Sequence, residues 1–146
     1  MLTRLIYHSE NHPGADGGGM IAGLNDILAA SQRNNEKAGI TGALLFDTLW
    51  FIQILEGERE AVSAALMRIA KDERHDALTI MDCRPAEKRL FGDWSMGFAM
   101  LRGDDGALYA RHGIGKRLNP RIISGEQALS LAVELATVRL DRKAVV

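Results

Sequence analysis

Cysteine is almost missing from this chain. The single one, Cys83, leaves no internal disulfide to staple a core. A surplus of charge is missing too: 18 Lys+Arg against 19 Asp+Glu give a net charge of -1 and a pI near 6.4. Such a balance offers no electrostatic footprint for nucleic acid or an anionic membrane surface. No apolar run approaches the roughly 20 residues of a membrane span, and MLTRLIYHSENHPG at the start lacks the apolar core of about 7 to 15 residues found in signal peptides. A soluble cytoplasmic protein is therefore expected. His8, His12, His75 and His112 do not combine with Cys83 into a metal-ligand spacing, and no metal is expected. The loop Glu10–Gly19 lacks the Lys-Ser/Thr sequel of a phosphate-binding loop. No Ser/His/Asp or Cys/His arrangement is legible either, so nothing supports an enzyme.

What is present suits one domain with a short appendage: 146 residues, 47% of them apolar, allow a sizeable core. Leu2 to Ser9 reads as a strand with Leu5 and Tyr7 on one face, Ile6 and His8 on the other. Glu10 to Gly19 reads as a flexible connection. Met20 to Ala38 carries a helical stripe, Ile21, Leu24, Leu28, Ser31 and Asn35, whose last two members are polar. A helix patterned this way turns its C-terminal half toward something polar inside the fold. Gly39 is placed to stop that helix in the left-handed conformation.

Two strands follow, Ile40–Phe46 and Trp50–Leu55, joined around Asp47-Thr48-Leu49. The second is apolar on both faces, and Gln53 lies among its core positions. An amide buried without partners costs about 1 to 3 kcal/mol, so Asn34, Asn35 and Gln53 together mark a place where the core meets a polar group. Glu58–Asp72 reads as a second helix with Val62, Ala65, Leu66 and Ile69 inward, and with Arg68 and Asp72 as i,i+4 neighbours. Leu78–Cys83 and Trp94–Leu101 complete the strands, the last with Trp94, Met96, Phe98 and Met100 on one face.

This element order predicts an α+β fold, ferredoxin-like βαββαβ plus a fifth strand, with both helices on one face of a mixed sheet. Strands one and three are neighbours in that topology, which brings Tyr7 beside Gln53. Residues 103–146 differ in texture: a polar link, then a helix from Ser124 to about Val138 with a Ser124/Gln127 capping box. Its apolar face, Leu129, Ala132, Val133, Leu135 and Ala136, is expected to cover the sheet opposite the first two helices.

Six segments in succession resemble the signatures of the BLUF domain, the blue-light sensor that holds FAD. They are Tyr7-His8-Ser9, Ser31-Gln32-Arg33-Asn34-Asn35, Gly39-Ile40-Thr41-Gly42, Phe51-Ile52-Gln53-Ile54-Leu55-Glu56-Gly57, Asp72-Glu73-Arg74-His75 and Trp94-Ser95-Met96-Gly97-Phe98. The resemblance covers about residues 2–102, implies a flavin-binding sensor domain over 1–102 with 103–146 as a C-terminal helical extension, and is to the short stand-alone type that signals through partners.

The resemblance implies FAD, with FMN as the alternative, between the two helices and the sheet. Gln53 would bridge Tyr7 and flavin N5/O4, and Asn35 would bind the O4/N3 edge, with Ser31 on the same helix face. Asn34 and Arg68 would lie toward O2, and Asp72, Arg74 and His75 near the far side of the ring or the ribityl-phosphate chain. The implied photochemistry moves an electron and a proton from Tyr7, leaves the Gln53 amide rotated or tautomerised, and shifts the flavin spectrum to the red. Trp94 or Met96 would compete for the space beside Gln53 and pass the change to an effector protein. A homo-oligomer is expected; nucleic acid and membrane partners are not.

Taken singly, these residues have plainer readings. Tyr7 is then a half-buried aromatic, Met96 core filler, Trp94 packing for the tail, Ser31 a hydroxyl bonded back to its own helix, and the Asp-Glu-Arg-His run solvated surface. The competing function is a small ferredoxin-like enzyme or metabolite-binding module that uses the same groove.

Overall fold

The computed structural model describes residues 1–11, 20–47, 49–73, 75–101 and 105–141; the side chains of residues 20–23 and 75 lie outside that description, as does the glycine-rich connection 12–19. The elements are β1 (Leu2–Asn11), α1 (Met20–Ala38), β2 (Thr41–Phe46), β3 (Trp50–Glu58), α2 (Arg59–Ala70), β4 (His75–Pro85), β5 (Gly97–Met100), α3 (Gly106–Arg111) and α4 (Gly125–Val138). The sheet order is β4-β1-β3-β2-β5, with β5 parallel to β2 and every other pairing antiparallel. This is the expected α+β, ferredoxin-like arrangement with its fifth strand at one edge.

Alternation along the strands sorts the core into two layers. Leu5, Tyr7, Leu44, Phe51 and Leu55 pack with Leu24, Leu28, Val62 and Ala65 of α1 and α2. Ile6, Ala43, Leu45, Ile52 and Ile54 pack on the opposite face with Leu131, Ala132 and Leu135 of α4 and with Leu108 and Tyr109 of α3. The C-terminal extension thus covers the second face, as the two-sided apolar strands require. The inward face of α4 is made by Ala128, Leu131, Ala132 and Leu135, whereas Val133, expected inward, is 36% exposed. The capping box is present, with Gln127 N–H donating to Ser124 Oγ at 3.1 Å and Ser124 N–H to Gln127 Oε1 at 2.8 Å.

Gly39 ends α1 with φ +69°. Gly42 serves a different need: a Cβ there would fall 1.9 Å from the Ile54 carbonyl oxygen, so only glycine lets β2 approach β3 so closely. The β2–β3 loop is fixed by Asp47, whose Oδ1 accepts from the Leu49 and Trp50 amides at 2.7 and 2.8 Å.

The last strand is shorter than expected. β5 begins at Gly97, and Trp94 and Met96 precede it in a bend. Trp94 N–H donates to the Phe91 carbonyl at 3.0 Å, closing a turn, while the carbonyls of Ser95 and Met96 are taken by Asn35 Nδ2 at 2.8 Å and Gln32 Nε2 at 3.0 Å. Side chains of α1 take these two carbonyls while the Gly42 N–H of β2 goes to the Trp94 carbonyl at 3.0 Å, outside the regular β2–β5 ladder, so alternation does not run back through Ser95. Met96 stays with Phe98 on the α1/α2 side, but Trp94 packs into the opposite layer, its ring 3.2 Å from where a Gly97 Cβ would stand. The expectation that Trp94 and Met96 share a face is corrected accordingly.

Candidate functional site

Strand pairing builds the centre of the site. β1 and β3 are in register with Tyr7 directly opposite Gln53, and Leu44 of β2 is the other cross-strand neighbour of Gln53. Both side chains point to the α1/α2 side. Tyr7 is fully buried and Gln53 is 3% exposed. The Tyr7 hydroxyl donates to Gln53 Oε1, and Gln53 Nε2 donates to the Met96 thioether sulfur at 3.4 Å. Burial, and behind it the negative charge of Asp72, push the Tyr7 phenol far above its ordinary range. The hydroxyl therefore keeps its proton across the physiological range.

From here a groove opens between α1 and α2. It is lined by Ile27, Ser31, Asn34 and Asn35 from α1, Arg68 and Ile69 from α2, Asp72 beyond α2, and Leu44 and Gln53 from the sheet. Asn35 is buried, with its Nδ2 on the Ser95 carbonyl; Ser31 and Asp72 are half-buried; Asn34 and Arg68 are exposed at the mouth. Asn34 is therefore not a core amide, contrary to its grouping with Asn35 and Gln53. Of the expected site residues, Tyr7, Gln53, Met96, Ser31, Asn34, Asn35, Arg68 and Asp72 converge on this region. Trp94 does not, since it faces the other side of the sheet. Arg74 lies outside the described residues, as does the side chain of His75.

The donors and acceptors suit a flat heteroaromatic ring with carbonyl and ring-nitrogen edges. Carboxamides match such edges because each offers both a donor and an acceptor, and among the described residues the buried Gln53 amide is held by a hydroxyl and a thioether, a weak acceptor. The volume is a tighter constraint. The groove encloses about 90 Å³, against about 300 to 1,000 Å³ for typical small-molecule sites. A tricyclic ring would need α1 and α2 to part, or would extend through the open mouth.

One buried polar residue near the site has no counterpart among the expected site residues. Glu56 of β3 is 0% exposed and accepts from Arg4 Nε and Nη2 at 3.1 and 2.9 Å, from the Leu90 and Phe91 amides at 2.8 and 2.9 Å, and from Thr41 Oγ1 at 3.3 Å. It fastens the 86–91 segment, which leads into the bend carrying Met96, to the central strand. Its signal in the sequence was a carboxylate at the end of a strand otherwise apolar on both faces. Among the described residues, no cluster of three or more His, Cys, Asp or Glu could hold a metal, and no helix is long and apolar enough to cross a membrane.

A ferredoxin-like sheet with an amide-lined groove between two helices, and a buried tyrosine–glutamine pair at its floor, defines an α+β domain with a candidate ligand groove. The model of the family "BLUF: Sensors of blue-light using FAD" matches residues 2–97, and the chain belongs to that family. It is 32% identical over 105 residues to the "Blue light- and temperature-regulated antirepressor BluF" of Escherichia coli (strain K12), a match covering 70% of this chain and 24% of that protein. The chain thus spans about a quarter of that relative's length. Among solved structures it is similar to the BlsA photo-activated state, with a TM-score of 0.86 and 26% identity over 97% of this chain and 99% of that one. It is also similar to Klebsiella pneumoniae BlrP1 with FMN and cyclic diGMP, with a TM-score of 0.64 and 30% identity over 92% of this chain and 35% of that one.

Proposed function

We propose that this chain is a blue-light receptor that holds FAD in the α1/α2 groove and signals to a partner protein without turning over a substrate of its own. The observation that carries the reading is the cross-strand pair itself: a fully buried phenol donating to a buried amide whose other partner is a thioether. Bound in the groove, the flavin would supply blue-light absorption and an excited state able to withdraw an electron. FAD is preferred over FMN on the family's description, although FMN accompanies the related BlrP1.

Every other step belongs to the protein. Tyr7 is the electron and proton source: losing an electron makes its phenol strongly acidic, and its proton has a hydrogen-bonded path to Gln53 Oε1. When electron and proton return, the Gln53 amide is left rotated or tautomerised. Met96 Sδ, at 3.4 Å, is a weak acceptor, so giving up that bond costs little. Such a switch needs two amide arrangements separated by no more than a few kcal/mol. The change reaches the surface through Met96 and the bend before β5, whose carbonyls Asn35 and Gln32 of α1 hold.

Asn35 and Ser31 would orient the ring from α1, with Asn34 and Arg68 at the mouth and Asp72, Arg74 and His75 toward the remainder of the cofactor. Residues 1–102 form the sensor in this reading and 103–146 the extension that adapts it to its effector. The antirepressor relative suggests a regulatory protein as that effector. In this reading the receptor works in the cytoplasm as a homo-oligomer. The test is the absorption spectrum of FAD-loaded protein before and after blue illumination. A red shift that decays in darkness, and is abolished in Tyr7→Phe, is the expected result. Flavin-loaded protein whose spectrum does not respond to light would overturn the reading, and a released cofactor that chromatographs as FMN would overturn the choice of FAD.

A further inference from the structure

On the face of the sheet away from the groove, a cavity of about 470 Å³ lies between β4 and the segment 120–126 that leads into α4. It is several times larger than the groove and within the usual range for a small-molecule site. His8 lines it. That side chain is only 5% exposed, it stands next to Tyr7 on β1 but on the opposite face, and its buried Nδ1 has no hydrogen-bond partner among the described residues. Burial and the nearby Arg121 hold the imidazole below its ordinary pKa, against a smaller opposing effect of Glu10, so the ring is neutral near pH 7. A neutral imidazole has one donor and one acceptor nitrogen, and leaving either dry and unbonded is unfavourable.

The rest of the lining is rich in unspent donors. Arg84 uses its Nε on Asp82 at 2.8 Å, and Arg121 uses Nη2 on Glu10 at 2.8 Å while its guanidinium lies 5.3 Å from the centre of the Trp50 ring. A guanidinium carries five N–H donors, so each retains several. Gly125 and Glu126, in the first turn of α4, line the same space beside Asp82, and first-turn helix amides have no intrahelical acceptor. Of the lining carboxylates, Asp82 is already tied to Arg84, and Glu126 is exposed and free to turn into water.

We propose that this back-face cavity is a second binding site, for a small metabolite bearing an oxyanion, carboxylate or phosphate, received by His8, Arg84, Arg121 and the α4 N-terminus. The two guanidiniums set the specificity for an acceptor-rich group, and His8 is the buried reporter of occupancy. The site stands independently of the flavin, because none of its residues lines the groove.

The test is a titration of flavin-loaded protein, kept in darkness and labelled with ¹⁵N-histidine, with sodium phosphate and separately with sodium succinate. Ionic strength is held constant with chloride, and acetamide serves as a neutral comparison. The His8 ring resonances, assigned by their loss in His8→Gln, should shift saturably with at least one of the two anions while His112 stays still. Whichever anion saturates identifies the oxyanion. Arg84→Gln and Arg121→Gln should each weaken the apparent affinity by about 10-fold, as removal of a hydrogen bond to a charged group does. The proposal is overturned if His8 is unmoved or drifts without saturation, if acetamide alone saturates it, or if the wild-type affinity survives in both arginine variants. The wild-type titration decides the matter even if a variant fails to fold.

Discussion

Gln53 and Glu56 stand three residues apart on β3, are both buried, and face opposite sides of the sheet, yet they are held very differently. Glu56 is met by five donors from four residues, two of them backbone amides, and its carboxylate cannot turn without breaking several bonds. Gln53 is met by one hydroxyl and one thioether, either of which can be exchanged without unfolding the strand. The first arrangement fixes a segment in place; the second suits a group that must adopt two orientations. The same strand thus supplies a rigid anchor and a pivot, and the difference lies in how completely each buried polar group is satisfied.

Removing the anchor should have the largest effect. Glu56→Ala leaves Arg4 without its partner and the Leu90 and Phe91 amides without their acceptor, so a loss of about 3 to 5 kcal/mol is expected. Denaturant unfolding measures it, and a loss below about 1 kcal/mol would dissolve the distinction drawn between the two residues. Alkaline titration comes next. The folded-state pKa of Tyr7 is raised, by burial first and by Asp72 second. Its contribution is therefore fully present below the unfolded-state value near 10 and is lost as pH rises above it, because only the unfolded phenol ionises there. The slope is about 1.4 kcal/mol per pH unit for one such group. Tyr7→Phe should flatten that slope when unfolding is followed between the unfolded-state pKa and the alkaline limit of folding. The smallest effect should come from Gln53→Leu, similar in size and apolar among apolar neighbours. Its cost should stay within about 1 to 2 kcal/mol, mostly from the unpaired Tyr7 hydroxyl, while the light response disappears.

Most of the fold was legible because hydrophobic periodicity and element order determine it together. Two-sided strands called for cover on both faces, and βαββαβ order placed β1 beside β3, so the meeting of Tyr7 and Gln53 followed from pattern alone. Val133 and Asn34 were placed on the wrong side of their helices, whereas what was missed around Trp94 and Glu56 turned on bonds between residues distant in sequence. Alternation was carried through Ser95 because nothing local reveals that Asn35 and Gln32 take the carbonyls there, and so Trp94 was assigned to the wrong layer. Glu56 received no role because its donors come from β1, β2 and the 86–91 segment. The cavity beside His8 was invisible for a similar reason, since residues 120–126 have no periodic pattern and acquire meaning only when folded against β4.

The central claim is that the Gln53 amide moves while its surroundings hold. It is tested most directly by recording the side-chain amide resonances of Gln53 and the backbone amides of Leu90 and Phe91 in flavin-loaded protein, in darkness and under blue light. A reversible change at Gln53, with the two Glu56-bonded amides unchanged, is the predicted result. A Gln53 signal indifferent to light, or a change confined to Leu90 and Phe91, would contradict the account.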